Sequence, residues 1–254
     1  MSQIFSARRK KMGDMANTVE MSIIAIVRSC YREKFGIPRQ PGLVDRSRAR
    51  IEFLPSFDRA EMFRELDTFS HIWVHFLFHD SIGEGWRTTV RPPSLGGQRR
   101  VGIFSSRSPH RPNHLGLSVV KLLEITSFDN RISLEVGGGD FLDNTPVLDI
   151  KPYVPFSDCI PDAAAGYSGQ QILPLRVCFL KDAELFCREY EEQTGRDLAG
   201  LVEQVLAQDP RPASQRHRQK YFGIQLWDVN IRWRVENESV KVIECRLVEN
   251  PHRP

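Results

Sequence analysis

Between residues 19 and 155 the chain alternates short runs of β-branched and aromatic residues with turns, and never places a ten-residue amphipathic helix between two of them. That spacing suggests an all-β barrel or sandwich rather than a doubly wound α/β domain, whose parallel strands each need a crossover helix. Strands are predicted at Val19 to Val27, Ala49 to Leu54, His71 to Phe78, Val101 to Ser105, Leu115 to Ile125, Arg131 to Val136 and Pro146 to Tyr153. One helix is predicted from Asp58 to Leu66, with Asp58 as its cap and Met62, Phe63 and Leu66 on its apolar side. The prolines and glycines from Phe35 to Gly42 enforce a long loop after the first strand.

Beyond Pro155 the pattern changes. Asp158 to Gln171 is a loop rich in Ala, Gly and Ser. It is followed by a strand at Leu175 to Phe179, helices at Ala183 to Glu192 and Asp197 to Ala207, and strands at Gly223 to Val235 and Val240 to Leu247. The organisation read from this is a tail over residues 1–18, a mainly β barrel domain over 19–165, and a smaller α+β domain over 166–254. The tail carries Arg8, Arg9, Lys10 and Lys11.

A net charge of +3 with 26% charged residues excludes both an acidic disordered chain and a histone-like polycation, so any nucleic-acid binding must come from local patches. The five cysteines are odd in number and form no C-x-x-C, which argues for a reducing, cytoplasmic compartment and against a structural zinc site. No apolar run approaches the roughly 18 residues of a membrane span.

His71, His75 and His79 are spaced four apart, but the intervening Ile72, Trp73, Val74, Phe76 and Phe78 belong on a strand. Four strand residues span about 13 Å, too far for two imidazoles to share one ion, so no metal site is expected. His79, at the strand end, is the histidine placed to border a pocket. The loop Arg107-Ser108-Pro109-His110-Arg111-Pro112-Asn113 carries two prolines and two arginines, and is stiff enough to aim guanidinium groups at a carboxylate or phosphate. Gly137-Gly138-Gly139-Asp140-Phe141-Leu142-Asp143 reads either as a tight turn or as backbone offered to a ligand with two carboxylates beside it. It lacks the G-x-G-x-x-G fingerprint and the helix that a dinucleotide site requires. No G-x-S-x-G, Walker loop or H-E-x-x-H occurs. Near the C-terminus, Arg211, Arg216, His217, Arg218, Lys220 and Tyr221 form a basic loop, and Arg232 and Arg234 alternate with Ile231, Trp233 and Val235. That combination is either a solvated face or one that tracks a phosphate backbone while an aromatic stacks on a base.

Eight ordered segments resemble one family. They include Arg28 to Phe35, Pro38 to Val44, Phe69 to Val74, Arg91-Pro92-Pro93 with Leu95-Gly96-Gly97, Arg107 to Asn113, and Asp143 to Tyr153. Asp209 to Pro212 and Trp227 to Trp233 complete the set. Together they are similar to the TrmO tRNA methyltransferases, also called TsaA-like or YaeB-like. The resemblance implies a β-barrel that binds S-adenosylmethionine without a Rossmann fold, a homodimer, and methylation of N6-threonylcarbamoyladenosine beside the anticodon of tRNA. It places Gln40, Pro41, Gly42, His79, Arg107, Leu117, Asp140, Phe141, Leu142 and Asp143 around the cofactor. Asn113 and Tyr31 are then expected to align the acceptor, and Arg111, Lys151, Tyr153, Arg211, Arg232 and Arg234 to hold the anticodon arm. The chain departs from the family at Cys30 and His114, each standing where a proline is expected. Reduced loop rigidity would follow, and the alternative is a non-catalytic RNA-binding adaptor on the same barrel.

Overall fold

A computed structural model describes residues 18–129, 131–169, 173–212, 215–216 and 220–248. The basic tail at residues 8–11 and the pair His217 and Arg218 lie outside them. In chain order the strands are β1 (Ala25–Ser29), β2 (Arg48–Phe53), β3 (His71–Leu77), β4 (Thr89–Val90), β5 (Val101–Gly102), β6 (Leu115–Phe128), β7 (Arg131–Gly137) and β8 (Thr145–Pro152). Then follow helix α1 (Pro155–Asp158), β9 (Arg176–Phe179), α2 (Lys181–Thr194), α3 (Leu198–Ala207), β10 (Phe222–Leu226), β11 (Val229–Glu236) and β12 (Ser239–Leu247). No helix among the described residues is long and apolar enough to cross a membrane.

Six strands close into an antiparallel barrel in the order β1-β2-β7-β6-β3-β8. Alternation explains the closure: Ile72, Val74 and Phe76 of β3, Ile132, Leu134 and Val136 of β7, and Val27 and Ile51 opposite them all turn inward and are buried. Closing the sheet leaves no open edge. The C-terminal unit is a four-stranded sheet, β10-β11-β12-β9, packed against α2 and α3. Its core contains Leu201, Val205, Ile224, Ile231 and Trp233, and also Cys30, Tyr31 and Val44 from the long loop after β1. That loop is therefore a bridge between the two cores.

The structure corrects four readings. Pairing at the first strand begins with Ile24, whose N–H donates to Val147 O and whose carbonyl accepts from Leu54 N–H, and the strand runs on to Ser29, so 19–23 lie ahead of it. The helix expected at 58–66 is two 3₁₀ turns, Ala60–Phe63 and Leu66–Thr68, separated by an extended Arg64 and a left-handed Glu65 (φ 62°). The strand expected at 101–105 pairs only at Val101 and Gly102, then turns into a 3₁₀ helix. The strand expected at 223–235 is a hairpin folded at Trp227-Asp228, with Trp227 in the left-handed region (φ 52°). Tryptophan is a rare residue for that conformation, so the turn carries none of the usual Asn-Gly signal.

Candidate active site

One rim of the barrel gathers the C-terminal ends of β3 and β7 and the N-terminal ends of β6 and β8. The loop after β1, the Arg107 loop and the turn after β7 rise above that rim and enclose a cavity of 550 Å³. This is ample for a ligand of cofactor size. Phe76, Gly116, Ser118 and Thr145 come from the strands; Gln40, Arg107 and Asp140 come from the loops.

The floor depends on a glycine. Gly116 pairs with Phe76 across β6 and β3, and the Phe76 ring occupies the space that a Cβ on residue 116 would need. Phe76 in turn meets Phe78 and Phe141 edge-on at 5.0 and 5.1 Å. The ring can thus cover the backbone only because residue 116 has no side chain.

Above this floor, Asp140 accepts a hydrogen bond from the Ser118 hydroxyl at 2.6 Å. Burial raises its carboxyl to about 6, against the opposing pull of that hydroxyl and of Arg107. Arg107 donates to Gln40 Oε1 at 2.5 Å, joining the two loops across the mouth. Burial holds His79 below the usual imidazole value, against the opposing pull of Asp80. Lys34 ties the first loop to the segment after β3 through Asp80 and Glu84, at 3.0 and 2.9 Å.

Of the residues expected around the cofactor, Gln40, Pro41, His79, Arg107, Leu117, Asp140 and Leu142 line this cavity, as does Arg111, whose guanidinium is held by the Ser106 carbonyl at 2.7 Å. Gly42 lies behind it, donating its N–H to Gly138 at 2.8 Å and so docking one loop on the other. Phe141 is buried beneath the floor. Asp143 faces the opposite way: its carboxylate accepts from Ser29 N–H at 2.8 Å and pairs with Arg32. The Asp143 side chain is therefore not part of this cavity's lining.

Tyr31 also requires revision. It is 1% exposed, belongs to the C-terminal core, and its hydroxyl has no hydrogen-bond partner among the described residues. Burial raises its ionisation far above the ordinary phenol value, so it is no base. Asn113 is exposed at the rim, outside the cavity lining. Tyr153 pairs with His71, about 13 Å along the strand from His75 and the cavity, and Lys151 pairs with Trp73, about 7 Å from it; neither lines the cavity. Arg211 is buried and fixed by both oxygens of Asp209, at 2.7 and 3.1 Å, so its guanidinium is structural. Arg232 is exposed and stacks on Tyr221, its guanidinium carbon 4.2 Å from the ring centre; Arg234 approaches the same ring at 5.4 Å.

Ser118, Gly116 and His75 are site residues that sequence reasoning missed. In Leu115-Gly116-Leu117-Ser118 the apolar pattern alone would turn the leucines inward, but in the structure the leucines are exposed and Gly116 and Ser118 are buried.

The two departures from the expected prolines have different structural accounts. Cys30 is buried, which pushes its thiol up to about 12 and makes it inert. His114 sits in the left-handed region (φ 49°), its N–H donates to Arg111 O at 3.1 Å, and its Nδ1 lies 2.9 Å from Pro109 O. Proline has neither that φ nor an N–H. His114→Pro is therefore expected to destabilise the protein by more than about 1 kcal/mol, read as a lower melting temperature.

Residues 26–159 match the tRNA-methyltransferase O N-terminal domain, and residues 173–248 match the TrmO C-terminal domain. The chain belongs to the TrmO family. It is 40% identical over 222 residues to the tRNA (adenine(37)-N6)-methyltransferase of Escherichia coli K12, covering 86% of this chain and 94% of that one. A putative S-adenosylmethionine-dependent methyltransferase of Pseudomonas aeruginosa is 43% identical over 217 residues, 85% of this chain and 92% of its own. The crystal structure of TrmO from P. aeruginosa superposes with a TM-score of 0.78 at 35% identity, over 93% of this chain and all of that one. In this TrmO-family chain the rim cavity stands at one end of a barrel, with no nucleotide-binding crossover anywhere in the described sheets.

Proposed function

We propose that this chain methylates N6 of N6-threonylcarbamoyladenosine next to the anticodon of tRNA, with S-adenosylmethionine bound in the rim cavity. The observation that carries this is the half-buried Asp140 carboxyl facing a preformed cavity, with Ser118 its one side-chain donor among the described residues. Such a group suits the hydroxyls or ammonium of a nucleoside-amino acid conjugate, and Arg107 and Arg111 suit its carboxylate. The bound cofactor supplies a sulfonium methyl group whose transfer needs little covalent help from protein.

The work left to the chain is positioning and exclusion of water. Phe76, Phe78 and Leu117 offer apolar surface and keep a carboxylate from pressing on a sulfonium, which would stabilise ground state more than transition state. Asn113, exposed at the rim, is assigned to the incoming base. Unpaired loop bases can be splayed out at modest cost, which suits an acceptor presented from outside the cavity. Exposed Phe104, Leu115 and Leu117 beside the site are consistent with pairing of two copies there.

Transfer of labelled methyl from S-adenosylmethionine to tRNA is expected only with threonylcarbamoylated tRNA. Tight binding of cofactor and tRNA without transfer would instead assign the chain to an adaptor role. Arg232→Ala is expected to weaken tRNA binding several-fold in fluorescence anisotropy and to leave cofactor affinity unchanged in calorimetry; equal tRNA affinity would remove the Tyr221 face from the RNA contacts.

A further inference from the structure

A second concavity, a groove of 1110 Å³, lies on the other side of the turn after β7 from the rim cavity and is twice its size. Its walls are the outer face of β1, β2 and β7 on one side, and the segment Gly195–Asp197 with Trp227 on the other. Six arginines line it: Arg28, Arg32, Arg46, Arg48, Arg50 and Arg196. Four carboxylates, those of Glu52, Glu135, Asp143 and Asp197, line it as well.

The arrangement differs from an ordinary solvated ion-pair network. Strand register sets Arg28 directly opposite Arg50, a like-charge pair that costs stability unless something offsets it. Glu52 pairs with Arg28 at 2.9 Å and Glu135 with Arg50 at 2.5 Å. In each pair the acid is the deeper partner: the Arg50 side chain is 55% exposed against 25% for Glu135, and Arg32 38% against 8% for Asp143. Asp197 likewise sits below Arg46 at 3.1 Å. Glu135, Asp143 and Asp197 thus brace the guanidinium forks of Arg50, Arg32 and Arg46 from beneath, while Arg28 is held by Glu52 and Asn144 and Arg196 donates to the Tyr190 hydroxyl at 3.0 Å. Arg48 has no ion-pair partner among the described residues, and the Arg196 guanidinium lies over the Trp227 ring at 5.2 Å. Braced arginines lose little side-chain entropy on binding, and their planar donors fit phosphodiester oxygens.

We infer that this groove holds the phosphate backbone of the RNA substrate, at a segment distinct from the one that delivers the acceptor base. A phosphate chain is the occupant favoured because the donors form a row inside a concave cleft with an indole on one wall, and because backbone contacts fix register without reading sequence. The inference rests on the activity proposed above. Leu142 lines both cavities, so the turn from Asp140 to Asn144 presents Asp140 to one and Asp143 to the other.

The test uses the full chain, an in vitro transcribed tRNA labelled for anisotropy, and the double substitution Arg48→Glu with Arg50→Glu. The expected result is a loss of tRNA affinity of tenfold or more, with cofactor affinity unchanged. The slope of log affinity against log salt should become shallower by about 1.4 to 1.8, the change that follows when two phosphates are no longer neutralised. If the glutamate variant does not fold by circular dichroism, Arg48→Gln with Arg50→Gln is expected to weaken binding at least threefold. Affinity within twofold of wild type in a folded variant overturns the groove. If wild-type protein transfers no methyl group yet its RNA binding still depends on Arg48 and Arg50, the activity falls and the groove stands.

Discussion

Replacing Asp140 by alanine is expected to weaken S-adenosylmethionine binding by about 10- to 150-fold, the range that corresponds to losing a hydrogen bond to a charged group. The reason begins with burial. Asp140 is enclosed under the loop after β7, and its carboxyl is raised to about 6. Its ionised form is the stronger acceptor for cofactor hydroxyls and the one that pairs with an ammonium. Affinity for the cofactor should therefore be flat above pH 7 and fall as pH drops through about 6, approaching tenfold per unit below it. In Asp140→Asn that dependence should disappear. Stability of the free protein runs in the other sense. A carboxyl raised in the folded state binds its proton more tightly there than in the unfolded chain, so its contribution is most favourable below the ordinary carboxylate range and is lost as pH rises through about 6. The unliganded Asp140→Asn protein should consequently melt above wild type at pH 7.5, and the difference should shrink as pH is lowered. Calorimetric titration across pH, with parallel melts, reads both effects. An unchanged affinity in Asp140→Ala would detach the carboxyl from the ligand.

Gly116→Ala should be nearly as damaging, by a different route. The added methyl would occupy space held by the Phe76 ring, which Phe78 and Phe141 keep from swinging away. Overpacking of this kind costs about 1–3 kcal/mol, which for a chain of this size corresponds to about 2–4 °C of melting temperature per kcal/mol. Any ring displacement that does occur enters the cavity, so cofactor affinity should fall together with stability. Phe76→Leu in the same chain is expected to restore much of the stability, because the two side chains share one space and their effects are coupled. A Gly116→Ala protein with wild-type melting and binding would show that the floor is not built on that contact.

The barrel is legible in the sequence because alternation is a strong signal when a strand has one buried face. In His71 to Leu77 the pattern alone puts Ile72, Val74 and Phe76 on the inward side, where the structure has them. The Trp227 turn is not legible, since its left-handed residue has no Gly or Asn to mark it. Within the site, spacing identifies the segments but not the directions of their side chains. Asp140 and Asp143 stand three residues apart across one turn and face different cavities. Tyr31 and Arg211 carry chemistry that the sequence makes attractive, and both are consumed by packing: one by the C-terminal core, the other by Asp209. Long-range partners of this sort leave no local trace. Ser118 goes unseen for the opposite reason: a lone serine in an apolar strand gains meaning only from the carboxyl that the turn after β7 places 2.6 Å away.

The most direct measurement is a crystal structure of the full chain soaked with S-adenosylmethionine. Density is expected in the rim cavity, with a polar end of the ligand against Asp140 and Ser118, its carboxylate within reach of Arg107 or Arg111, and its methyl turned toward the open side near Asn113. Well-ordered ligand density in the arginine groove or anywhere else on the molecule, with the rim cavity empty at millimolar excess, would contradict the assignment.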